Sequence, residues 1–283
     1  MKYASNPEEW PLPKSEFPEA VWRTHCSEQI EINLEHYLTF DRVWLVPDGA
    51  NLQQLEHALK KRGIPILDKD EELKTVQVNT EEITDWQGEK PWRVQDYGAR
   101  SLVMTLPIEK RDLVWDCCAG SGGKSLSLLH KTNFLNVSDK RKKVLEPLMK
   151  RSFSGKQVKV DSLNPLVNKS HEFMNAEYDW IVADVPCSGS GTWRKNPEHF
   201  IGFGSNQIKD YQTTQRKIVE SLIPVMSEKT KLVYMTCSVF SEENEGQLDF
   251  FKSLGLNVQK SEYICDAKRD SDQFYRCILV KSE

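Results

Sequence analysis

The apolar positions of this chain fall into two regimes. Before about residue 90 they are sparse and short in period. Ile30, Leu34 and Leu38 predict a helix over 27–40, and Leu52, Leu55 and Leu59 predict another that ends near Gly63. The run Val43-Trp44-Leu45-Val46, stopped by Pro47-Asp48-Gly49, predicts a strand, and Ile64-Pro65-Ile66-Leu67 and Thr75–Val78 are further strand candidates. Residues 1–20 hold four prolines and read as a lead-in. Together these pieces predict a small α/β unit, with Trp86–Trp92 as its junction to the remainder of the chain.

From residue 95 the pattern changes. Apolar runs alternate with amphipathic stretches such as Gln207–Met226. Leu113–Cys117 runs into a glycine loop; Phe134–Val137 ends at Asp139, Gln157–Val160 at Asp161, Trp180–Ala183 at Asp184 and Leu232–Met235 at Thr236-Cys237. Five short apolar runs, each closing on a polar or reactive residue, predict a mostly parallel sheet flanked by helices, an α/β fold. Ligands of such sheets bind at the carboxyl ends of the strands. Asp116, Asp139, Asp161, Asp184 and Cys237 are therefore expected to converge on one crevice. The division expected is a small N-terminal α/β subdomain over 1–91 and a larger domain over 92–283.

Charge and cysteine usage narrow the function. The net charge of -4 is uneven: residues 1–90 carry 10 basic and 18 acidic side chains, so the remainder is net basic. Lys140–Lys143, Lys150-Arg151 and Arg194-Lys195 are the basic clusters; Lys140–Lys143 alone reads as a solvated helix face. The seven cysteines are odd in number and form no CxxC pair, which argues against a disulfide framework and a zinc site. No metal is expected. The polar N-terminus and the lack of a long apolar stretch predict a cytoplasmic protein without a membrane span. A monomer is expected.

The loop Asp116-Cys117-Cys118-Ala119-Gly120-Ser121-Gly122-Gly123-Lys124 matches neither phosphate-loop spacing nor the dinucleotide pattern. Its glycines still let backbone approach a ligand. Asp139, at the next strand end, suits a carboxylate gripping ribose hydroxyls; alone it would read as a turn residue or helix cap. Cys26, Cys265 and Cys277 read as small buried hydrophobes. Cys187, in Asp184-Val185-Pro186-Cys187-Ser188-Gly189-Ser190-Gly191, and Cys237, in Thr236-Cys237-Ser238, sit instead at strand ends among small and hydroxyl residues. Two thiols at one crevice suit methylation of a pyrimidine at carbon 5. A thiolate adding to carbon 6 makes carbon 5 nucleophilic, and a second thiol assists the later elimination. Asp184 is placed to bind the ring edge, and the base must be unstacked. On this ground either thiol can be the nucleophile.

These segments, with Arg194-Lys195-Asn196-Pro197-Glu198, Glu243-Asn244-Glu245, Val94-Gln95-Asp96 and Asp272-Gln273-Phe274-Tyr275, resemble the Sun/NOL/NOP-type (RsmB-like) RNA cytosine-5 methyltransferases over about residues 92–280. The resemblance implies a Rossmann-like methyltransferase domain with a seven-stranded sheet behind a small RNA-binding subdomain. It implies S-adenosylmethionine as cofactor, held by Cys118, Ala119, Gly120, Ser121, Gly122, Gly123 and Lys124, with Asp139 on the ribose, Asp161 on the adenine side, and Asp184 near both donor and base. It assigns Cys237 as nucleophile, Cys187 to product release, and Lys124 to the neighbourhood of the base. Gly120-Ser121 stands where the family has Ala-Pro, which predicts a looser loop and weaker donor binding; Gln273 replaces a glycine. The implied substrate is RNA, ribosomal first and transfer RNA next. Two alternatives stand beside it: a DNA cytosine-5 methyltransferase attacking through Cys187, and a non-catalytic, donor-binding RNA assembly factor.

Overall fold

A computed structural model describes residues 42–193, 195, 199 and 203–282. The lead-in, the helix expected over 27–40 and Cys26 lie outside the described residues, as do Arg194 and Asn196-Pro197-Glu198.

The small unit is an antiparallel sheet of β1 (Arg42–Pro47), β2 (Asp68–Asp70), β3 (Thr75–Asn79) and β4 (Trp92–Val94), in the order β2-β3-β1-β4. Helix α1 (Leu52–Lys61) starts where the Asn51 side chain accepts the Gln54 N–H and Gln54 reaches back to the Asn51 N–H. It buries Leu55 and Leu59 against Val43, Leu45, Val76 and Val78, about 2 kcal/mol of transfer free energy apiece. The short helix α2 (Thr80–Thr84) adds Ile83 to that core.

Two sequence expectations change here. Ile64–Leu67 is not a strand: Pro65 has no N–H for a ladder, Ile66 and Leu67 are exposed, and pairing begins with the Leu67 N–H to Gln77 O at 2.9 Å. Trp92, read as part of a junction, is in β4 opposite Pro47, so the small sheet runs past residue 91 to Val94.

The second sheet has seven strands in the order β10-β11-β9-β8-β5-β6-β7. β5 (Leu113–Asp116), β6 (Phe134–Asp139), β7 (Gln157–Ser162), β8 (Trp180–Asp184) and β9 (Lys231–Thr236) are mutually parallel and contain the five apolar runs. β11 (Phe274–Lys281) runs antiparallel between β9 and β10 (Leu256–Ile264).

Alternate residues of the central strands enter opposite cores because both faces are covered. Trp115, Ile181, Ala183, Leu232 and Tyr234 meet Ile218, Val219 and Leu222 of α6 (Ser205–Leu222) and Phe251 of α7 (Leu248–Ser253). Val114, Trp180, Val182, Val233 and Met235 meet Leu102 and Val103 of α3 (Tyr97–Met104), Leu128 of α4 (Gly123–Leu128) and Leu145 and Leu148 of α5 (Lys142–Met149). Helix α6 stops at Leu222, short of Met226, because Pro224 follows and the chain tightens into a 3-10 turn. Lys140–Lys143 are exposed, as a solvated face requires. Among the described residues no helix is long and apolar enough to cross a membrane.

The two units are tied by side chains. Tyr97 OH donates to Asp70 Oδ2 at 2.8 Å, Trp44 Nε1 to Arg269 O at 2.6 Å, and Gln95 Nε2 to Gly123 O at 3.2 Å, which connects the small sheet's exit to the start of α4.

Candidate active site

β5 has β6 on one side and β8 on the other, so the winding reverses there and a crevice opens beyond the strands' carboxyl ends. Asp116, Asp139, Asp184 and Cys237 all lie at that end. The loops extend the sheet's pairing: Cys117 N donates to Val182 O, Ala119 N to Ser138 O, and Val185 N to Met235 O, at 2.9, 2.9 and 3.1 Å. Sheet geometry therefore fixes the loops relative to one another.

The glycine loop turns sharply. Gly120 and Gly122 have φ of 55° and 86°, the left-handed region that glycine occupies freely. A Cβ on Gly122 would lie 2.2 Å from Leu148, whereas one on Gly123 would meet nothing within 4 Å. The backbone thus packs on α5 and presents Gly123 to open space. The Gly120-Ser121 departure does not leave the loop untethered, because Gly120 N donates to Asp139 Oδ2 and Gly122 N to Ala119 O, both at 2.9 Å.

Asp139 also receives Arg141, through Nε to Oδ1 at 2.9 Å and Nη2 to Oδ2 at 3.0 Å. Burial pushes this carboxyl up, but Arg141 and the N–H groups of Arg141 and Gly120 hold it below its ordinary value. The Arg141 side chain is 61% exposed, so its grip on Asp139 is a surface one. Asp116 is fully buried; Ser125 Oγ donates to its Oδ2 at 2.6 Å while Oδ1 has no partner. Burial, opposed by Ser125, pushes its carboxyl up to about 7. Asp161 is exposed at the end of β7, where its carboxylate meets His171 Nε2 at 3.2 Å and its own neighbour's Ser162 N–H.

These residues fit S-adenosylmethionine. The open backbone at Gly123 accepts close approach, Asp116 Oδ1 is a polar atom left without a partner, and Asp139 offers a carboxylate whose side-chain partner is an exposed arginine.

The two cysteines come together from separate loops. The sulfurs of Cys187 and Cys237 are 3.3 Å apart, and both residues are half-buried. Beside them Lys124 Nζ donates to Asp184 Oδ2 at 2.7 Å and lies 5.6 Å from the Phe274 ring centroid. Burial pulls the Lys124 ammonium down, yet Asp184, then Cys237 and Asp116, hold it above its ordinary value. The Cys187 thiol is pushed well up, first by its hydrogen bond to Cys237, then by burial, then by the charges on Cys237 and Glu243.

Sequence reasoning assigned Glu243 no role. It is fully buried and accepts four hydrogen bonds: Ser188 N and Gln215 Nε2 on Oε1 at 3.0 and 2.8 Å, and Ser188 Oγ and Ser238 Oγ on Oε2, both at 2.5 Å. It therefore clamps the residue after Cys187 to the residue after Cys237. Burial pushes its carboxyl up, against the pull of those donors. Asn244 assists: it accepts from Thr236 Oγ1 at 2.6 Å and donates to Ser238 O at 2.9 Å. The position of this Glu-Asn pair, closely following a Thr-Cys-Ser strand end, was the available signal. Gly191 completes the knot, because a Cβ there would lie 2.1 Å from Gln273 O and 3.0 Å from Cys237 O. Cys277 is buried as expected, but Cys265 is exposed, because it follows the edge strand β10 rather than facing a core.

Lys195, Asp96 and Asp272 form a cluster nearby, with Lys195 Nζ on Asp96 Oδ2 at 2.5 Å and on Asp272 Oδ2 at 2.7 Å. It brings three sequence-distant segments to one place.

Comparison with known proteins bears on this architecture. In solved structures the fold recurs in PH0851, with a TM-score of 0.76 and 21% identity over 97% of this chain and 70% of that one. It recurs in NSun6 of Pyrococcus horikoshii, solved with SFG, at 0.68 and 14% over 86% and 91% of the two chains. Among curated proteins, the ribosomal RNA small subunit methyltransferase B of Vibrio vulnificus is 27% identical over 208 residues, 68% of this chain and 48% of the relative. The ribosomal RNA small subunit methyltransferase F of Shewanella piezotolerans is 33% identical over 81 residues, 29% and 17% of the two. The chain spans about half the length of the curated type B relatives it matches. The family described as 16S rRNA methyltransferase RsmB/F matches residues 103–271, from α3 to the segment before β11. That stretch is more than half of the sequence and holds the glycine loop, Asp139, Asp184 and both cysteines, so the chain belongs to the RsmB/F family of S-adenosylmethionine-dependent methyltransferases.

Proposed function

We propose that this chain methylates carbon 5 of a cytosine in RNA, ribosomal RNA before transfer RNA, through a covalent adduct between Cys237 and carbon 6. The observation that carries the reading is the pair of sulfurs 3.3 Å apart, set between unlike charges. Lys124 lies on the Cys237 side and Glu243 on the Cys187 side. A cation favours a thiolate and an anion favours a thiol. Cys237, the thiol that the family resemblance assigns, is the attacking sulfur, with Cys187 as its hydrogen-bond partner.

S-adenosylmethionine supplies the electrophilic methyl group. The backbone from Cys118 through Ala119, Gly120, Ser121 and Gly122 to Gly123 and Lys124 would hold it, with Asp139 for the ribose and Asp161 for the adenine side. Lys124 and Asp184 form a donor–acceptor pair for the polar edge of the base: the ammonium donates to a ring acceptor and the carboxylate accepts from the exocyclic amine. Cys237 sulfur then bonds to carbon 6, which makes carbon 5 nucleophilic. After methylation the carbon-5 proton leaves to water, the double bond reforms, and the sulfur departs as a thiolate stabilised by the Cys187 S–H.

The test uses small-subunit ribosomal RNA and labelled donor. Cys237→Ala is expected to abolish methylation without forming adduct. Cys187→Ala is expected to accumulate a protein–RNA adduct that survives denaturing electrophoresis. If Cys237→Ala still methylates and Cys187→Ala is merely dead, the roles are reversed. A wild-type chain that binds donor but methylates neither RNA sinks the enzymatic reading.

A further inference from the structure

A group of cations lies at the end of the large sheet opposite Cys237. Lys110 precedes β5, Lys131 precedes β6 and Lys156 precedes β7, so all three sit where strands begin. Lys110 Nζ donates to His130 O at 2.7 Å, Lys131 Nζ to Met104 O at 3.0 Å, and Lys156 Nζ to Thr132 O at 3.0 Å. The small unit adds two more: Lys74 from the β2–β3 turn and Arg93 from β4. Arg93 Nη2 and Arg100 Nη1 donate to the same hydroxyl, Ser127 Oγ, at 3.3 and 2.9 Å. Arg100 is fully buried, and its Nη2 has no partner.

Among the described residues no ion pair joins any of these six to a carboxylate. Glu109 pairs with Arg111, Glu71 with Lys69, and Asp48 with both terminal nitrogens of Arg151, while Asp48 also attracts Arg93 across the cleft. The crowding is felt within the group. Burial first, then Arg100, Lys74, Arg93 and Lys156, push the His130 imidazole down to about 3. Burial, then Lys74 and Lys131, lower Lys110. Lys110 and Lys156 answer carbonyls just past α4 and Lys131 the last carbonyl of α3, which leaves Lys74, Arg93 and Arg100 beyond what the helix ends need. These lie in a chain whose net charge is -4. Alongside opens a cleft of about 330 Å³, lined by Asp48, Asn51, Gln54, Arg93, Leu126 and His130 between the two units. That is ligand-sized, with amide side chains beside a guanidinium.

We infer that this seam between the two units binds the phosphodiester backbone of the RNA at a distance from the base being methylated. The inference rests on the RNA reading and gives the acidic small unit its part in it. Acidic on the whole, the unit turns Lys74 and Arg93 toward lysines of the catalytic domain, and the basic track exists only where the two meet. Lys74 and Lys110 are both exposed, so phosphates can reach them from solvent, with Arg93 at the cleft beside them.

The full chain is tested with fluorescein-labelled oligocytidylate RNA across a salt series. Lys74→Asn keeps a residue that tolerates the φ of 52° at this position, and it is combined with Lys110→Gln. For single strands, each lost phosphate contact lowers the slope of log affinity against log salt by about 0.7, so the double variant is expected to lose about 1.4. The single Lys74→Asn variant should lose half of that. The KM for RNA should rise while kcat and the affinity for S-adenosylhomocysteine stay at wild-type values. Unchanged slope and KM, in a chain that binds and methylates RNA, would overturn the seam and leave the RNA reading standing. A wild type that neither binds nor methylates RNA fails both. Tighter binding of polyglutamate than of RNA through the same lysines would make the seam a protein-docking surface and overturn the inference.

Discussion

The Cys237 amide N–H points at the Cys187 sulfur across 3.4 Å, and the Cys237 sulfur stands 3.3 Å from it. A disulfide needs a sulfur separation of about 2.05 Å, a closure of about an ångström. Treatment with peroxide is expected to link the pair: two thiols and one peroxide give one disulfide and two waters. Methylation should stop and return with a thiol reductant, and peptide mapping should recover a Cys187–Cys237 crosslink. Loss of activity without that crosslink would point to oxidation elsewhere.

Glu243→Gln removes a charge but little volume. Removing the anion beside Cys187 makes that thiol easier to ionise. In a Cys237→Ser background, the alkylation profile of Cys187 should therefore shift to lower pH. Disrupting hydrogen bonds to a buried charged group should also lower stability by about 2 kcal/mol. A profile that stays put would mean that Glu243 only holds the loops in place.

Arg141 and the donor's ribose compete for one carboxylate in this reading. Asp139→Ala should weaken binding of S-adenosylhomocysteine at least about tenfold, the loss of roughly 1.4 kcal/mol expected for charge-assisted hydrogen bonds. Arg141→Ala should tighten it a few-fold, since the exposed ion pair is worth about 0–1 kcal/mol. Calorimetric titration of both variants decides. Weaker binding in Arg141→Ala would make the arginine a ligand of the donor.

Much of this site is legible in the sequence because parallel strands buried on both faces are written as apolar runs. Each such run ends where the core ends, so Asp116, Asp139, Asp184 and Cys237 could be placed at one edge before any coordinates. Two of the missed strands have the opposite character, whereas β11, an apolar and buried one, was simply not read. β2 is Asp68-Lys69-Asp70, and β10 is an edge strand of mostly polar residues; such strands are held by the ladder rather than by side-chain burial. Glu243 was equally hidden, because a buried carboxylate looks like any surface glutamate until its donors, Ser188, Gln215 and Ser238, are folded around it. The charge arithmetic was correct, but it averaged over the seam, where Lys74 and Lys110 are 36 positions apart in sequence.

Asp116 predicts a pH dependence of stability. Its folded value, about 7, lies above the ordinary 3.8. Below about pH 4 the group is neutral in both states and imposes no cost. As pH rises from there, the unfolded chain ionises first, so stability falls until the folded carboxyl also ionises near 7. The loss approaches about 4 kcal/mol. Asp116→Asn should flatten this slope and gain most stability, relative to wild type, at neutral pH. Denaturant midpoints measured between pH 4 and 8 check the sign; parallel curves for the two chains would refute it.

β11 enters the sheet last in sequence yet lies between β9 and β10, and Gln273 just before it donates its N–H to Gly191 O at 3.1 Å. The strand that carries Cys237 therefore gains its second neighbour only once residues 274–281 have left the ribosome. Losing β11 would leave β9 with an open edge, and the loops that bear both sulfurs without the wall that Gln273 builds against Gly191.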